Sequence, residues 1–159
     1  MKIDRGLLVK IFGFSAALTH GDTLVLDRWR WLKSKLPTTK NGETLIDIGC
    51  GTGYFSMGAA LRGYEALGLS WDERNQEIAG VRAKSCKATG ASFSVQDVRF
   101  LDEREDLIEK FDVAICFENI EHIMDDRKLL KDVAACIKPG GRLLLTAPNL
   151  LYTGMTRDD

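Results

Sequence analysis

The sequence predicts an α/β protein with a doubly wound, mostly parallel sheet. Five short apolar runs alternate with segments of helical periodicity from Glu43 onward. Strands separated by helices pair in parallel through right-handed crossovers. The runs are apolar throughout, which is typical of strands covered by helices on both faces. A glycine-rich turn follows the first run directly, at the sheet edge where such folds bind their ligands.

The strands are predicted from short apolar runs that end at glycine, proline or polar residues. The turn Lys138–Gly141 precedes the last of them. The runs are TLIDIG from Thr44, EALGLS from Glu65, ASFSV from Ala91, FDVAICF from Phe111 and RLLLTAP from Arg142.

The helices are predicted from apolar periodicity and from capping residues. Trp29 and Trp31 are too close in sequence to share a helix face, so we expect one to pack inward and the other to cover a neighbour or a ligand. The predicted helices are Asp22 (a cap) to about Leu36, Tyr54–Gly63, Asp72–Gly90, a charged surface helix Asp102–Lys110, and Asp125–Ile137 with Leu129, Leu130, Val133 and Ile137 on one face.

Length and composition indicate one domain with a buried core. The chain has 159 residues, 45% hydrophobic, and a net charge of −1, so no basic excess favours a nucleic-acid partner. No run reaches membrane-spanning length. The four cysteines form no CxxC pair, which disfavours disulfides and zinc sites and favours a cytoplasmic location. We predict that residues 1–42 form a helical cover or lid and that 43–159 form the ligand-binding domain.

The stretch LIDIGCGTGYFS carries the main chemical signal. Glycines at 49, 51 and 53 allow a sharp turn and a close approach of the backbone to a ligand. The spacing is not the GxGxxG of dinucleotide sites, which disfavours a nucleotide-binding oxidoreductase. Asp47 would repel a phosphate but would favour a cationic ligand. The alternative is a tight turn that binds nothing.

LIDIGCGTGYFS resembles the first motif of class I S-adenosylmethionine-dependent methyltransferases. The resemblance covers about Glu43–Asn149 and includes Asp97 after the third strand, the segment CFENIEHI after the fourth, and the run KPGGRLLLTAP. It implies S-adenosylmethionine as cofactor and S-adenosylhomocysteine as product. It also implies a cofactor site formed by Asp47, Gly49, Cys50, Gly51, Gly53, Ser70, Trp71, Asp97, Val98 and Phe117.

Ser70 departs from the family pattern, which usually has an acid there to bind the ribose hydroxyls. Cyclopropane-forming lipid methyltransferases resemble this chain in having a hydroxyl residue at that position. Asp72 or Glu73 could reach the ribose instead, although such residues are more often helix caps. Trp71 could stack beside the adenine or pack on the next helix. The alternatives are therefore C-methyl or cyclopropane-type lipid chemistry, or an inactive adenosyl-binding module.

The segment Glu118–His122 supplies the catalytic candidates. His122 could accept a proton from a hydroxyl as the methyl group arrives, with Glu118 as a second candidate. The pattern ExxEH also resembles a metal-binding pattern of ubiquinone-pathway O-methyltransferases, but we expect no metal. His122 could alternatively be structural. The segment lacks a Pro-Pro-aromatic motif, which disfavours methylation of nucleobases.

The family sheet has seven strands, so the resemblance implies a fold truncated after the fifth. We expect a homo-oligomer or a partner to cover that strand edge. The predicted function is O-methylation of a small-molecule acceptor.

Overall fold

A computed structural model describes residues 13–16, 18 and 23–148. Asp22 lies outside this range, so the predicted cap of the first helix is not described. The cover of the fifth-strand edge by a homo-oligomer or a partner stays a prediction. No helix in the described ranges is long and apolar enough to cross a membrane. The division into a cover and a ligand-binding domain stays a prediction.

Five strands form one sheet in the order β3-β2-β1-β4-β5, with every neighbouring pair parallel. This confirms the doubly wound fold. The strands are β1 Thr44–Ile48, β2 Glu65–Ser70, β3 Ala91–Val95, β4 Phe111–Phe117 and β5 Ile137–Thr146. The helices are α1 Thr23–Lys35, α2 Tyr54–Ala60, α3 Glu73–Cys86 and α4 Asp126–Cys136, with 3₁₀ turns at Val98–Glu103, Glu105–Leu107 and Ile120–His122.

Helices cover both faces of the sheet, as the apolar strands require. On one face Leu32 of α1 and Leu36, which directly follows that helix, pack with Leu45 and Ile115. On the other face α4 packs against the alternate residues of β1 and β4, together with the 3₁₀ turns. Since β1 continues into α2 on the first face and β4 into α4 on the second, the chain switches faces between β1 and β4.

The two tryptophans of α1 face different ways, as predicted. Trp29 is 9% exposed and meets Phe14 edge-on, with ring centroids 5.2 Å apart. Trp31 is 40% exposed, and its ring lies 5.8 Å from that of Phe117. Trp31 therefore covers a neighbour at the carboxyl end of β4.

The predicted helix over Asp102–Lys110 is wrong. Two 3₁₀ turns occupy this region, because Leu101 and Leu107 are both buried and a residue with non-helical backbone, Arg104 (φ −99°, ψ 69°), separates them. The segment has no apolar stripe at the 3.6-residue period that would hold an α-helix on the sheet.

Three smaller features also differ from the prediction: the end of one helix, the buried face of another and the start of the last strand. Helix α3 ends at Cys86 rather than Gly90, because Lys87 adopts a left-handed conformation (φ 57°) and caps it. On α4, Leu130 is 37% exposed, and Cys136 joins the buried face instead. The predicted turn Lys138–Gly141 is a bulge inside β5, because the pairing shifts between Phe111 and Val113.

Candidate functional site

A cleft of about 170 Å³ opens at the carboxyl ends of β1 and β2, over the point where the chain switches faces. This is where doubly wound sheets bind ligands. Five predicted site residues line the cleft, together with two asparagines that sequence reasoning missed. The lining residues are Gly49, Gly51, Ser70, Trp71, Asn75, Val98 and Asn119.

Glycine is needed at two positions of the loop, for a different structural reason at each. Gly49 has φ 78°, and a Cβ built there would lie 2.6 Å from Cγ of Asn119. Gly51 has φ 51°, and a Cβ there would have no atom within 4 Å. Gly49 therefore allows Asn119 to pack on the loop, and Gly51 leaves open space above the backbone for a ligand. Gly53 is buried and precedes α2.

Asp47 lies beneath the loop rather than in the cleft. It is 1% exposed, and its carboxylate accepts a hydrogen bond of 2.7 Å from the Ser56 hydroxyl. Burial raises the pKa of Asp47 to about 7. No cationic side chain within the described residues pairs with it. A ligand that places positive charge above the loop would favour the ionised form.

Cys50 is held between the loop and α3. Its Sγ lies 3.4 Å from Nε2 of Gln76, and the same amide group lies 3.5 Å from the Gly51 carbonyl oxygen. Burial, helped by the Asp47 charge, raises the pKa of the Cys50 thiol to about 12. The thiol is therefore protonated at neutral pH, and it does not serve as a nucleophile.

At the end of β2, Ser70 is 6% exposed and its hydroxyl accepts a 3.4 Å hydrogen bond from the Asp72 backbone. Asp72 caps α3 by accepting hydrogen bonds from the Arg74 and Asn75 backbones, which confirms the capping interpretation. Trp71 is 74% exposed at the edge of the cleft, so it does not pack on that helix. Its indole face is available to a ligand.

After β3, Val98 is buried in the lining of the cleft. The preceding carboxylate, Asp97, is 2.5 Å from Nη2 of Arg99 and also accepts from the Arg99 backbone. The Arg99 hydrogen bonds hold the pKa of Asp97 below its usual value. A ligand amino group at this carboxylate would share it with the guanidinium.

The two catalytic candidates that follow β4, Glu118 and His122, have different environments. The carboxylate of Glu118 is 2.7 Å from Nη2 of Arg28 and accepts a 3.0 Å hydrogen bond from Thr146. His122 is exposed at the end of a 3₁₀ turn. Phe117 is buried, 5.0 Å from the Phe55 ring, and does not line the cleft. Among the described residues no His, Cys, Asp and Glu group has metal-site geometry.

Of the two asparagines that were not predicted, Asn119 has the clearer signal in the sequence. It directly follows a buried strand at the carboxyl edge, between Glu118 and His122. The sequence could therefore place it near the site, but its packing against Gly49 depends on the loop conformation. Asn75 lies on the first turn of α3, and no pattern in the sequence distinguishes it from other surface residues.

A larger groove of about 700 Å³ lies between α3 and β3. It is lined mainly by small and apolar side chains, including Ala83 and Phe93, and none of the three loop glycines lines it. Volume alone does not identify the site. The smaller cleft combines the glycine loop, polar groups and an exposed indole, which is the arrangement expected of a ligand site.

Comparison with known proteins gives a family for most of the chain. Residues 25–157 match the model of a family described as a methyltransferase domain. A ubiquinone biosynthesis O-methyltransferase from Coxiella burnetii is 31% identical over 111 residues, which cover 70% of this chain and 46% of that protein. The chain thus spans about half the length of the curated relatives that it matches.

Two solved structures show the extent of the structural similarity. The phospholethanolamine N-methyltransferase 2 of Haemonchus contortus, in complex with phosphomonomethylethanolamine and S-adenosylhomocysteine, is 27% identical to this chain. Its TM-score is 0.66, and the match covers 76% of this chain and 28% of that one. The [4+2]-cyclase SpnF has a TM-score of 0.68 at 19% identity, covering 89% of this chain and 58% of that one. The second similarity shows the fold alone.

Proposed function

The chain belongs to the methyltransferase domain family, and on that premise we propose that it transfers a methyl group from S-adenosylmethionine to the oxygen of a small-molecule acceptor. The observation that carries the proposal is the glycine loop at the switch point of the sheet. Its backbone is open above Gly51, and a buried carboxylate without a cationic partner among the described residues lies below it.

The residues of the cleft fit this cofactor. The space above Gly51 accepts a ligand at van der Waals distance from the backbone, which a side chain would prevent. The exposed indole of Trp71 and the buried side chain of Val98 offer apolar surfaces for an adenine ring. Ser70 offers a hydroxyl at the end of β2 for the ribose, and Asp97 a carboxylate after β3 for the adenine amino group.

The bound cofactor supplies an activated methyl group on a positively charged sulfur. The chain then has to place an acceptor atom in line with that methyl group and exclude competing water. Asp47 acts through the loop, because its charge lies under the backbone and favours a cationic methionine group above it. Asn119 fixes the loop from the β4 side by packing on Gly49.

We assign His122 as the base for a hydroxyl acceptor. It follows β4 by five positions and is exposed, so its imidazole is accessible to an acceptor hydroxyl and can take the proton that leaves the acceptor oxygen. The Coxiella burnetii relative, an O-methyltransferase by name, supports transfer to oxygen. Because the match covers only 46% of that protein, we do not assign its acceptor to this chain.

Ser70 favours a second candidate, an adenosyl-binding module without transferase activity. A neutral hydroxyl that already accepts a backbone hydrogen bond binds a ribose more weakly than a carboxylate would. Such a module would keep the glycine loop and the Asp97 contact, but it would need no base at His122.

Two measurements test the proposal. Isothermal titration with S-adenosylmethionine, S-adenosylhomocysteine and NAD should show binding of the two adenosyl ligands only. Transfer of labelled methyl to a catechol, a primary amine and an unsaturated phospholipid should favour the catechol, and His122→Gln should lower kcat while leaving the cofactor Kd unchanged. Binding of NAD alone would exclude the family activity, and adenosyl binding without transfer to any acceptor would support the inactive module.

A further inference from the structure

Three elements of the fold meet at the side chain of Glu118. Arg28 of α1 lies 2.7 Å from one carboxylate oxygen, and the hydroxyl of Thr146, at the end of β5, donates to the other at 3.0 Å. The Glu118 backbone also donates to the Thr146 carbonyl at 3.1 Å. The Arg28 and Glu118 side chains are only 25% and 23% exposed. This arrangement ties the N-terminal helix to the ends of two strands.

The backbone of Glu118 is in a conformation that its residue type disfavours. Its φ is 49°, in the left-handed region, where a Cβ crowds the backbone. A residue other than glycine persists there only when its surroundings hold it in place. The Arg28 ion pair and the two hydrogen bonds to Thr146 supply that restraint.

The left-handed turn sets the position of the next residue. Asn119 packs on the glycine loop so closely that a Cβ on Gly49 would lie 2.6 Å from its Cγ. The same asparagine lines the cleft. A change in the Glu118 conformation would therefore move Asn119 away from the loop and alter the cleft, although neither Arg28 nor Thr146 lines it.

We propose that Arg28, Glu118 and Thr146 form a latch that couples cofactor binding in the cleft to helix α1, with Glu118 as a positioning residue. The inference rests on the proposed function, because the coupled ligand is the adenosyl cofactor. Coupling is reciprocal: if the latch favours the binding-competent loop, the bound cofactor stabilises the docking of α1 in return.

The test compares Arg28→Gln with Arg30→Gln. Arg30 lies on the same helix, but its ion pair with Asp27 is 70% exposed at both side chains, so it is a matched control. We expect Arg28→Gln to raise the Kd for S-adenosylhomocysteine about tenfold, within the usual range of coupling between sites. It should also abolish the protection that the ligand gives to α1 amides in hydrogen exchange. Arg30→Gln should match the wild type.

A double-mutant cycle separates positioning from catalysis. Glu118→Gln should raise the cofactor Kd as Arg28→Gln does, and the two effects should not add, because both variants break one ion pair. Arg28→Lys should recover part of the affinity. A catalytic Glu118 would instead lower kcat with an unchanged cofactor Kd.

The contrary results distinguish a failure of the latch from a failure of the proposed function. Wild-type affinity together with wild-type α1 protection in Arg28→Gln would overturn the latch and leave the proposed function intact. If Arg28→Gln does not fold, as judged by circular dichroism, Thr146→Val removes one hydrogen bond only and should raise the Kd about threefold, within the range for one such bond. An unchanged Kd in that variant would overturn the latch. A wild-type chain that binds no adenosyl ligand would overturn both proposals.

Discussion

Two aspartates on neighbouring strands, Asp47 on β1 and Asp112 on β4, have opposite electrostatic environments. Asp112 lies near the amino end of the sheet, where it accepts hydrogen bonds of 2.8 Å from the Thr44 backbone and 2.9 Å from Lys138. These hydrogen bonds lower its pKa to about 2. Asp47, near the carboxyl end, has one hydroxyl partner, Ser56, and burial raises its pKa to about 7.

The contrast separates the part of the sheet that stabilises the fold from the part that binds. At the amino end, the charge of Asp112 is matched by partners from β1 and β5. At the carboxyl end, the described residues leave the charge of Asp47 unmatched, and the backbone at Glu118, which is not a glycine, is left-handed. Such unfavourable features are typical of ligand sites, because the ligand supplies the missing interaction.

The largest expected effect is the pH dependence that Asp47 imposes on stability. Its folded pKa of about 7 exceeds the ordinary aspartate value of 3.8, so the folded protein binds the proton more tightly. The free energy of unfolding without ligand should therefore fall as pH rises from about 4 to about 7, by up to roughly 4 kcal/mol at 1.36 kcal/mol per unit. Asp47→Asn should remove this fall, as measured by urea unfolding at pH 5 and pH 8.

Cofactor affinity should respond to Asp47→Asn in the opposite direction. At pH 8 the variant should be the more stable protein but should bind S-adenosylmethionine more weakly, because the cation loses its ionised counter-charge. In the wild type, affinity should rise as pH increases through 7. If Asp47→Asn unfolds with the same pH profile as the wild type, Asp47 does not carry the unmatched charge, and the comparison fails.

A second prediction compares two glycines with similar backbone angles at opposite ends of β1. Gly49 has φ 78° and faces Asn119, whereas Gly42 has φ 66° and no atom within 4 Å of a built Cβ. Gly49→Ala should weaken cofactor binding by roughly 100-fold, because strain and the displacement of Asn119 act together. Gly42→Ala should cost about 1 kcal/mol of stability and leave the affinity unchanged.

Titration calorimetry and urea unfolding of both variants measure the two effects. Asn119→Ala in the wild-type background should weaken binding less than Gly49→Ala does, since it removes the packing contact but adds no backbone strain. If Gly42→Ala lowered the affinity as much as Gly49→Ala does, the binding role could not be assigned to the carboxyl end.

The sequence predicts the five strands, their parallel arrangement and the glycine loop, because each of these depends on local apolar runs and turn residues. It does not predict the pairing of Arg28 with Glu118 or of Lys138 with Asp112. These partners are far apart along the chain, and only the packed sheet brings them together. The left-handed conformations of Lys87 and Glu118 were also missed, since neither residue is a glycine.

A third prediction concerns Asp97 and its proposed hydrogen bond to the adenine amino group. Asp97→Ala should raise the cofactor Kd about tenfold, because a hydrogen bond to a charged acceptor is lost. Arg99→Gln is the informative partner variant: it frees the carboxylate that Arg99 now occupies and should leave the Kd equal or lower. Unchanged affinity in Asp97→Ala would remove this residue from the site.

The smallest expected effect is at the amino end. Asp112→Asn should lower the free energy of unfolding at pH 7 by about 1 kcal/mol, because the carboxylate is 35% exposed and solvent screens its pair with Lys138. Its depressed pKa means that this contribution is present above about pH 4 and is lost as pH falls toward 2, opposite in sign to that of Asp47. Urea unfolding at pH 7 and pH 3 should show the difference shrinking in acid. The cofactor Kd should not change, and a Kd raised as far as in Asp97→Ala would mean that the amino end also shapes the cleft.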